Sequence, residues 1–244
     1  MKYVVDFLYL YTMFYRLLIV ASMLLSLFGF GKCSKTIEYS EADYQLYTEY
    51  VSHAFGSSSH VLHEVVTEPG DIHVDIVWIE PGEGHDYHTL LTMNVGEFKM
   101  RTPSNVPNRM ELVIRLPKEW DLRSNEEKYS WPITLLKVLA RYPLYCKSYL
   151  ADGHTFGMEE LGRYAEGVPF YSSILSQSTT LQGTPASLQL GRRKNVVFYD
   201  VIPLYDNELE FCFEKGSEAL LSLMEKAGYL SQPVINIARK NFCE

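Results

Sequence analysis

His73 and Asp75 are the first candidates for chemistry, because their types and spacing resemble part of a metal site. One residue separates them in HVDIVWIEP, and residues i and i+2 of a β-strand point to the same face of a sheet. A distant histidine such as His154 would complete the two-histidine, one-carboxylate set that binds non-haem iron. Arg163 could then bind a substrate carboxylate. One hypothesis is therefore an Fe(II)-dependent oxygenase.

The same residues have a simpler interpretation, as structural polar side chains at the end of a strand. A three-letter motif is weak evidence without its structural context, and the chain has seven histidines that could complete it by chance. His85 and His88 follow in a glycine-rich turn, where we expect exposed loop residues. No G-x-S-x-G elbow, Walker loop or G-x-G-x-x-G fingerprint is present. The sequence favours a protein without catalytic residues, cofactor or metal.

Length and charge restrict the remaining function classes. The 244 residues suit one large domain or two small ones, and 47% are hydrophobic, enough for a sizeable core. The net charge is −8; the first 35 residues carry +3, so the rest carries −11. A nucleic-acid backbone would repel such a chain, whereas a basic protein partner would be attracted. Ordinary acidic solubility is the alternative interpretation.

The N-terminus and the cysteines bear on the compartment. Residues 7–31 are almost uncharged apart from Arg16, which is compatible with a membrane anchor, a signal segment, or translation that begins at Met23. The four cysteines lie far apart and form no CxxC pair, which favours a reducing compartment. We therefore expect a cytoplasmic protein with a hydrophobic segment at 1–35 and a folded domain at 36–244. Membrane attachment through residues 7–31 remains the alternative.

Helix and strand patterns alternate along the folded part. Ser40 can cap a first helix, with Asp43 in the capping-box position. Residues 72–79 are apolar on both faces, which predicts a central strand. Further strands are predicted at 89–100 and 109–117.

The second half of the pattern is less regular. A helix beginning near Ser130 should end near Arg141, because Pro143 follows. Residues 146–195 are predicted to be irregular, 195–214 to form a β-hairpin, and 217–228 to form a last helix. This order predicts an α+β or mixed α/β fold, with a mostly antiparallel or mixed central sheet flanked by helices.

Several segments taken together resemble the Suppressor-of-fused domain family. They are HVDIVWIEP, GEFKM, RMELVIRLPKEWDL, WPITLLKVLARYP, DGHTF and VVFYDVIPLYDNELEFCFEKGSEALLSLMEKAG. The resemblance covers about residues 44–242 and is closest to the compact, single-domain form found in bacteria. The eukaryotic members add a second domain and disordered insertions, for which this chain has no room.

The resemblance implies a non-catalytic protein-binding module. Eukaryotic members bind a transcription-factor peptide, which adds as a strand, and bacterial members are thought to include immunity proteins that neutralise a cognate toxin. The implied partner is a protein, either a basic toxin domain or an extended peptide. A membrane-tethered binding protein is a further alternative.

The resemblance also implies partner-binding residues. The tyrosine that ends the family's WP…LARY helix is Tyr142 here, and the family's acid just beyond it corresponds to Asp152, next to His154. This chain reads Asp-Gly-His where its relatives tend to read Gly-Asp-His, so the acid is displaced by one residue. Tyr142 could instead be a core tyrosine, and Asp152 and His154 could be loop-capping residues.

Overall fold

The computed structural model describes residues 35–157 and 162–243, so the predicted segment 1–35 lies outside the described residues except for its last position. The described helices are α1 (Glu41–Ala54), α2 (Glu127–Cys146), α3 (Asp206–Lys215) and α4 (Ser217–Lys226). The strands are β1 (His60–Leu62), β2 (Asp75–Ile79), β3 (Tyr87–Met93), β4 (Met110–Pro117), β5 (Thr155–Gly157), β6 (Ser172–Gln177), β7 (Ser187–Leu190) and β8 (Lys194–Leu204).

All eight strands of the described residues belong to one sheet. Its order is β1-β2-β3-β4-β8-β6-β5, and β7 pairs with the first residues of β8. Every neighbouring pair is antiparallel except β4 and β8, which run parallel. The predicted α+β class, with a mostly antiparallel sheet flanked by helices, is confirmed.

Helices cover both faces of the central strands, which explains why β2 and β3 are buried along their whole lengths. On one face, Leu135 and Leu139 of α2 pack with Ile76 and Trp78 of β2. On the other face, α1 packs against the alternate strand residues, such as Val77. Burial on both faces is what the apolar run at 72–79 predicted. Helices α3 and α4 form a third cluster over β6 and the end of β8.

The local signals at α1 are confirmed. The Ser40 hydroxyl accepts a hydrogen bond from the Asp43 backbone N–H at 3.2 Å, which satisfies one of the unpaired donors at the helix start. Tyr47 and Val51, one turn apart, are buried against the sheet. The cap and the apolar stripe thus act together.

The predicted second arm of the 195–214 hairpin is wrong, because those residues form α3. Glu208 accepts the Tyr205 backbone N–H at 3.0 Å and thereby caps a helix start. Leu209 and Cys212, three residues apart, are buried, whereas Phe213 is 74% exposed. The alternation of apolar and polar residues at 208–214 therefore did not predict which side chains are buried.

Three other expectations need correction. Helix α2 continues through Pro143 to Cys146, where Lys147 ends it with a φ of 51°. Pro143 is itself buried, so its packing compensates for one missing backbone hydrogen bond. The region 146–195 contains β5, β6 and β7 rather than only irregular structure. Finally, His85 and His88 are buried, not exposed.

Glu111 on β4 is a fully buried carboxyl group. It accepts hydrogen bonds from the Tyr39 hydroxyl at 2.6 Å, the Thr92 hydroxyl at 2.5 Å and the Gly96 N–H at 3.0 Å. Burial raises its pKa to about 8, although these three donors favour the charged form. Ionisation at this position therefore costs stability.

We expect Glu111→Gln to flatten the pH dependence of stability. The folded-state pKa of Glu111 lies above its ordinary value of 4.5, so its contribution is full below that pH and is lost as pH rises towards 8. Between pH 4.5 and about 8, the free energy of unfolding should fall more steeply with pH for the parent than for Glu111→Gln, as measured by urea denaturation at several pH values. The difference in slope should approach about 1.4 kcal/mol per pH unit. Parallel pH profiles would contradict the assignment.

Candidate functional site

His73 and Asp75 belong to a hydrogen-bonded network at the start of β2. The His73 Nε2 lies 3.1 Å from Asp75 Oδ1, and its Nδ1 lies 2.7 Å from the Thr67 hydroxyl. Asp75 also accepts the Glu64 backbone N–H at 2.9 Å, and its second oxygen lies 3.3 Å from His63 Nδ1. These contacts tie the preceding loop to the strand, which fits the structural interpretation of the HxD pair.

The predicted third iron ligand does not join this pair. The His154 ring contacts Tyr149 in a tilted arrangement, with ring centroids 5.1 Å apart and an interplanar angle of 48°, and His154 directly precedes β5. Strands β3, β4, β8 and β6 lie between β2 and β5 in the sheet order. Residues 35–157 and 162–243 contain no group of three His, Cys, Asp or Glu side chains arranged to hold a metal ion. The geometry gives the oxygenase hypothesis no support.

Arg141 anchors α2 to the loop before β2. Its guanidinium donates to Glu64 Oε2 at 2.5 Å, to Asp71 Oδ2 at 3.0 Å and to the Ile72 carbonyl at 2.9 Å. Lys137, one turn earlier, lies 3.4 Å from the other oxygen of Glu64. Because Arg141 is nearly buried, these contacts define the rotation of α2 about its axis and hence the direction of the next side chain, Tyr142.

Arg141→Met should lower the free energy of unfolding by about 3 kcal/mol or more, because it leaves two carboxylates without their buried partner. Lys137→Ala is the matched control, since Lys137 contacts the same Glu64 but is 30% exposed. Its effect should stay below about 1 kcal/mol. Equal losses for the two variants in urea denaturation would show that Arg141 is not the anchor.

Tyr142 points about 100° away from Arg141 around the axis of α2 and contacts β5. Its ring meets Phe156 edge-on, with centroids 5.5 Å apart and an interplanar angle of 83°. The side chain is half-buried, and burial, followed by the neighbouring Cys146, raises the pKa of its hydroxyl. Tyr142 is thus neither a fully enclosed core residue nor a free surface residue.

Asp152 and His154 lie in a turn that is hydrogen-bonded to β6. The Asp152 Oδ1 accepts the Gln177 N–H at 2.7 Å. The Gly153 N–H donates to the Leu175 carbonyl at 2.8 Å, and the Leu175 N–H donates to the His154 carbonyl at 2.9 Å. The loop-capping role considered for Asp152 is therefore present, while its carboxylate remains exposed.

Two further residues border this turn, and no sequence motif points to either of them. Tyr199 of β8 is one of them: burial raises the pKa of Tyr199 to about 12, and the negative charge of the neighbouring Asp152 adds to the increase. A Cβ placed on Gly153 would lie 3.8 Å from Ser217, the first residue of α4. The turn is thus held between β8, α4 and β5.

The three predicted partner-binding residues therefore converge on one edge of the sheet. Phe156 of β5 contacts Tyr142, and His154 and Asp152 precede the same strand by one and three residues. β5 is the last strand of the sheet order. We call the surface formed by Tyr142, Asp152, His154 and β5 the edge face.

Comparisons with known proteins identify the family and the fold. The protein family described as Suppressor of fused protein (SUFU) matches residues 70–240. The chain belongs to the SUFU family. This match covers the elements from β2 to α4 and includes all of the edge face.

Individual relatives are distant in sequence. An uncharacterized protein of Ureaplasma parvum serovar 3 is 27% identical over 218 residues, which are 84% of this chain and 98% of that protein. The crystal structure of a SUFU homologue from Neisseria gonorrhoeae aligns with a TM-score of 0.57 at 14% identity and covers 84% of this chain and 96% of that one. This match shows the same fold over nearly the whole length of a bacterial SUFU protein.

A chain of the Sufu-Fu complex crystal structure is also similar in fold. It aligns with a TM-score of 0.50 at 18% identity and covers 69% of this chain and 77% of that one. The resemblance to the SUFU family that the sequence segments indicated is thus confirmed, in its compact bacterial form. The family is generally non-catalytic and includes a protein solved in complex with a protein partner.

The N-terminal hydrophobic segment is not described, and the alternatives for it stay open. Among the helices at 35–157 and 162–243, none combines the length and apolar character needed to cross a bilayer. Whether Tyr142, Asp152 and His154 bind a partner remains a prediction, to which the geometry adds their convergence at one edge.

Proposed function

We propose that this SUFU-family chain is a non-catalytic protein-binding module that uses the edge face. The observation that carries the proposal is the position of β5 at the end of the sheet order, with Tyr142 and His154 beside it. A strand at the edge of a sheet presents backbone donors and acceptors to an extended segment of another protein. Side chains beside that strand would then select the segment.

The chemistry of the edge face supports binding rather than catalysis. Tyr142 combines a half-buried ring with a polar hydroxyl, a combination common at interface hot spots. Asp152 adds an exposed carboxylate that is held in place by the Gln177 N–H. The same hydrogen bond makes Asp152 a rigid acceptor, which lowers the entropy lost when a partner donor binds.

The partner we propose is a basic toxin domain, which would make this chain an immunity protein. The supporting observation is the net charge of −8, since charge complementarity accelerates association with a basic protein. The experiment is co-expression with the product of a neighbouring large reading frame in a host that this product kills. Growth restored by the parent chain, but not by a chain with an altered edge face, would support immunity. Toxicity unchanged by the parent chain would refute it.

We propose that the protein acts in the cytoplasm. The described cysteines, Cys146, Cys212 and Cys243, are free thiols, which suits a reducing compartment. Fractionation of cells that express either the full chain or a chain begun at Met23 tests this proposal. Both should appear in the soluble fraction; a full chain found in membranes would favour the tethered alternative.

A double variant, Tyr142→Ala with Asp152→Asn, should weaken partner binding by about 2 kcal/mol or more, the usual hot-spot threshold. Asparagine is chosen because its side-chain oxygen can still accept the Gln177 N–H, so the turn is retained while the charge is lost. Affinity is measured by calorimetry with the co-purified partner, and folding by thermal denaturation.

The matched control is Tyr145→Ala, which removes an exposed tyrosine from the same helix end. Tyr145 donates its hydroxyl to Asp71 at 2.8 Å, on the side of α2 that Arg141 occupies. Partner affinity should stay within about 0.5 kcal/mol of the parent value. Unchanged affinity in the double variant, with a parent-like melting temperature, would remove Tyr142 and Asp152 from the binding face.

A further inference from the structure

Residues 232–243, here called the return segment, run back over the start of α3 after α4 ends. No α-helix or β-strand is assigned within this segment. Its first part is attached to the sheet, where the Ile235 N–H donates to the Arg115 carbonyl at 2.8 Å. Its second part contacts the start of α3, where the Phe242 N–H donates to Glu208 Oε1 at 3.0 Å and the Asn241 side-chain amide donates to Asn207 at 2.6 Å. The largest set of contacts comes from the Arg239 side chain.

Arg239 makes a set of hydrogen bonds that matches the shape of a guanidinium group. It donates to both carboxylate oxygens of Glu208, one at 2.8 Å from Nη1 and the other from Nη2. It also donates to the carbonyls of Pro203 and Lys240, at 2.8 Å and 2.9 Å. The Glu208 side chain has 0% exposure and the Arg239 side chain 6%. A buried carboxylate that accepts two parallel hydrogen bonds favours arginine over lysine, because lysine cannot donate in this forked geometry.

Four aromatic rings enclose the same guanidinium group. The Arg239 Cζ lies 4.7 Å from the ring centroid of Tyr205, 5.2 Å from that of Phe242 and 5.7 Å from those of Phe170 and Tyr229. All four distances fall within the range of cation–π attraction. The surroundings of Arg239 are therefore an aromatic cage with a carboxylate inside it.

Most of this cage is built by elements outside the return segment. Glu208 lies in the first turn of α3 and Tyr205 directly precedes that helix. Phe170 precedes β6, and Tyr229 follows α4. Phe242 is the one ring that the return segment supplies itself. The Tyr205 hydroxyl lies 2.9 Å from the Arg239 carbonyl and 3.1 Å from the Ile237 carbonyl, so its one proton is donated to the backbone of the return segment. The return segment is thus seated like a bound ligand.

We propose that Glu208, Phe170, Tyr205 and Tyr229 form an arginine-recognition site for an extended segment of a partner protein, which this chain fills with its own Arg239 while the partner is absent. The negative net charge of the chain favours partners that present arginine. Because a tethered ligand acts at an effective concentration of roughly millimolar, Arg239 excludes weakly bound arginines. A partner must add contacts of its own to displace it.

This site goes beyond the edge face and is separate from it. The cage lies at the first turn of α3, whereas the Asp152–Gly153 turn approaches Ser217, just past the other end of α3. Ten helical residues span about 15 Å. The two surfaces can therefore be tested one at a time.

The test measures whether the site accepts an arginine from outside. The probes are an acetylated and amidated peptide of residues 236–243, NIARKNFC, kept reduced, and the same peptide with lysine at the position of Arg239. Calorimetry compares the parent chain, Arg239→Ala, Arg239→Lys and the matched control Arg192→Ala, which removes an exposed arginine between β7 and β8, at the opposite end of β8 from the cage. A thermal melt of each variant checks folding.

We expect Arg239→Ala to bind the arginine peptide at least roughly tenfold more tightly than the parent or Arg192→Ala does, because its cage is vacant. The lysine peptide should bind roughly tenfold more weakly than the arginine peptide. Adding Glu208→Gln should abolish this binding, whereas adding Tyr142→Ala should leave it unchanged. The last comparison distinguishes failure at this site from failure at the edge face.

Three results would overturn the proposal. The first is equal peptide affinity in the parent and in Arg239→Ala, and the second is no preference for arginine over lysine. The third is that neither Arg239→Ala nor Arg239→Lys folds, because Arg239 would then be an indispensable part of the core and the site could not be vacated.

Discussion

The parallel pairing of β4 with β8 joins the two halves of the sheet. It joins an N-terminal antiparallel group, β1 to β4, to a C-terminal group built on β8. The buried pair Arg115–Asp200 spans this junction, and Arg115 also donates to the Thr179 carbonyl at 2.9 Å. Burial raises the pKa of Asp200 to about 6, although the Arg115 charge opposes the shift. Removal of either partner would leave an uncompensated charge inside the sheet.

This junction determines where the two proposed binding surfaces lie. Since β8 pairs with β4 on one side and β6 on the other, β5 is placed at the end of the sheet. Helix α2 crosses the same sheet face, held by Arg141 at one side, so that Tyr142 reaches Phe156. β8 then leads directly into Tyr205 and α3, where the aromatic cage is built. Both surfaces therefore depend on how β8 is seated.

Much of the fold could be predicted from the sequence because its signals are local. The cap at Ser40 predicts the helix start beside it, and the apolar run at 72–79 predicts the burial of its own residues. Residues 208–214 were wrongly predicted as a strand, because Phe211 and Phe213 lie at the two-residue spacing of a β-strand. The hydrogen bond from the Tyr205 N–H to Glu208 and the burial of Leu209 stabilise the helix instead. Strands β5 and β6 depend on distant pairing, which the sequence of 146–195 does not display.

The candidate site was only partly accessible from the sequence, and for a physical reason. Tyr142, Asp152 and His154 came from a family resemblance, and the structure adds that they share an edge. The contact of Asp152 with Tyr199 and the pair Glu208–Arg239 join residues more than 30 positions apart. Such residue types are common, so their spacing alone carries no signal. By contrast, His73 and Asp75 resembled part of a metal site, but they belong to a hydrogen-bonded network between a loop and β2.

Backbone hydrogen exchange on the chain with and without a purified protein partner tests the central claim most directly. If the partner adds an extended segment to the edge face, the amides of β5 and of the Asp152–His154 turn should exchange more slowly in the complex. Amides of β1, at the opposite end of the sheet, and of α1, on the sheet face opposite to α2, should keep their free rates. Protection confined to α1 and β1, with β5 unchanged, would contradict the account.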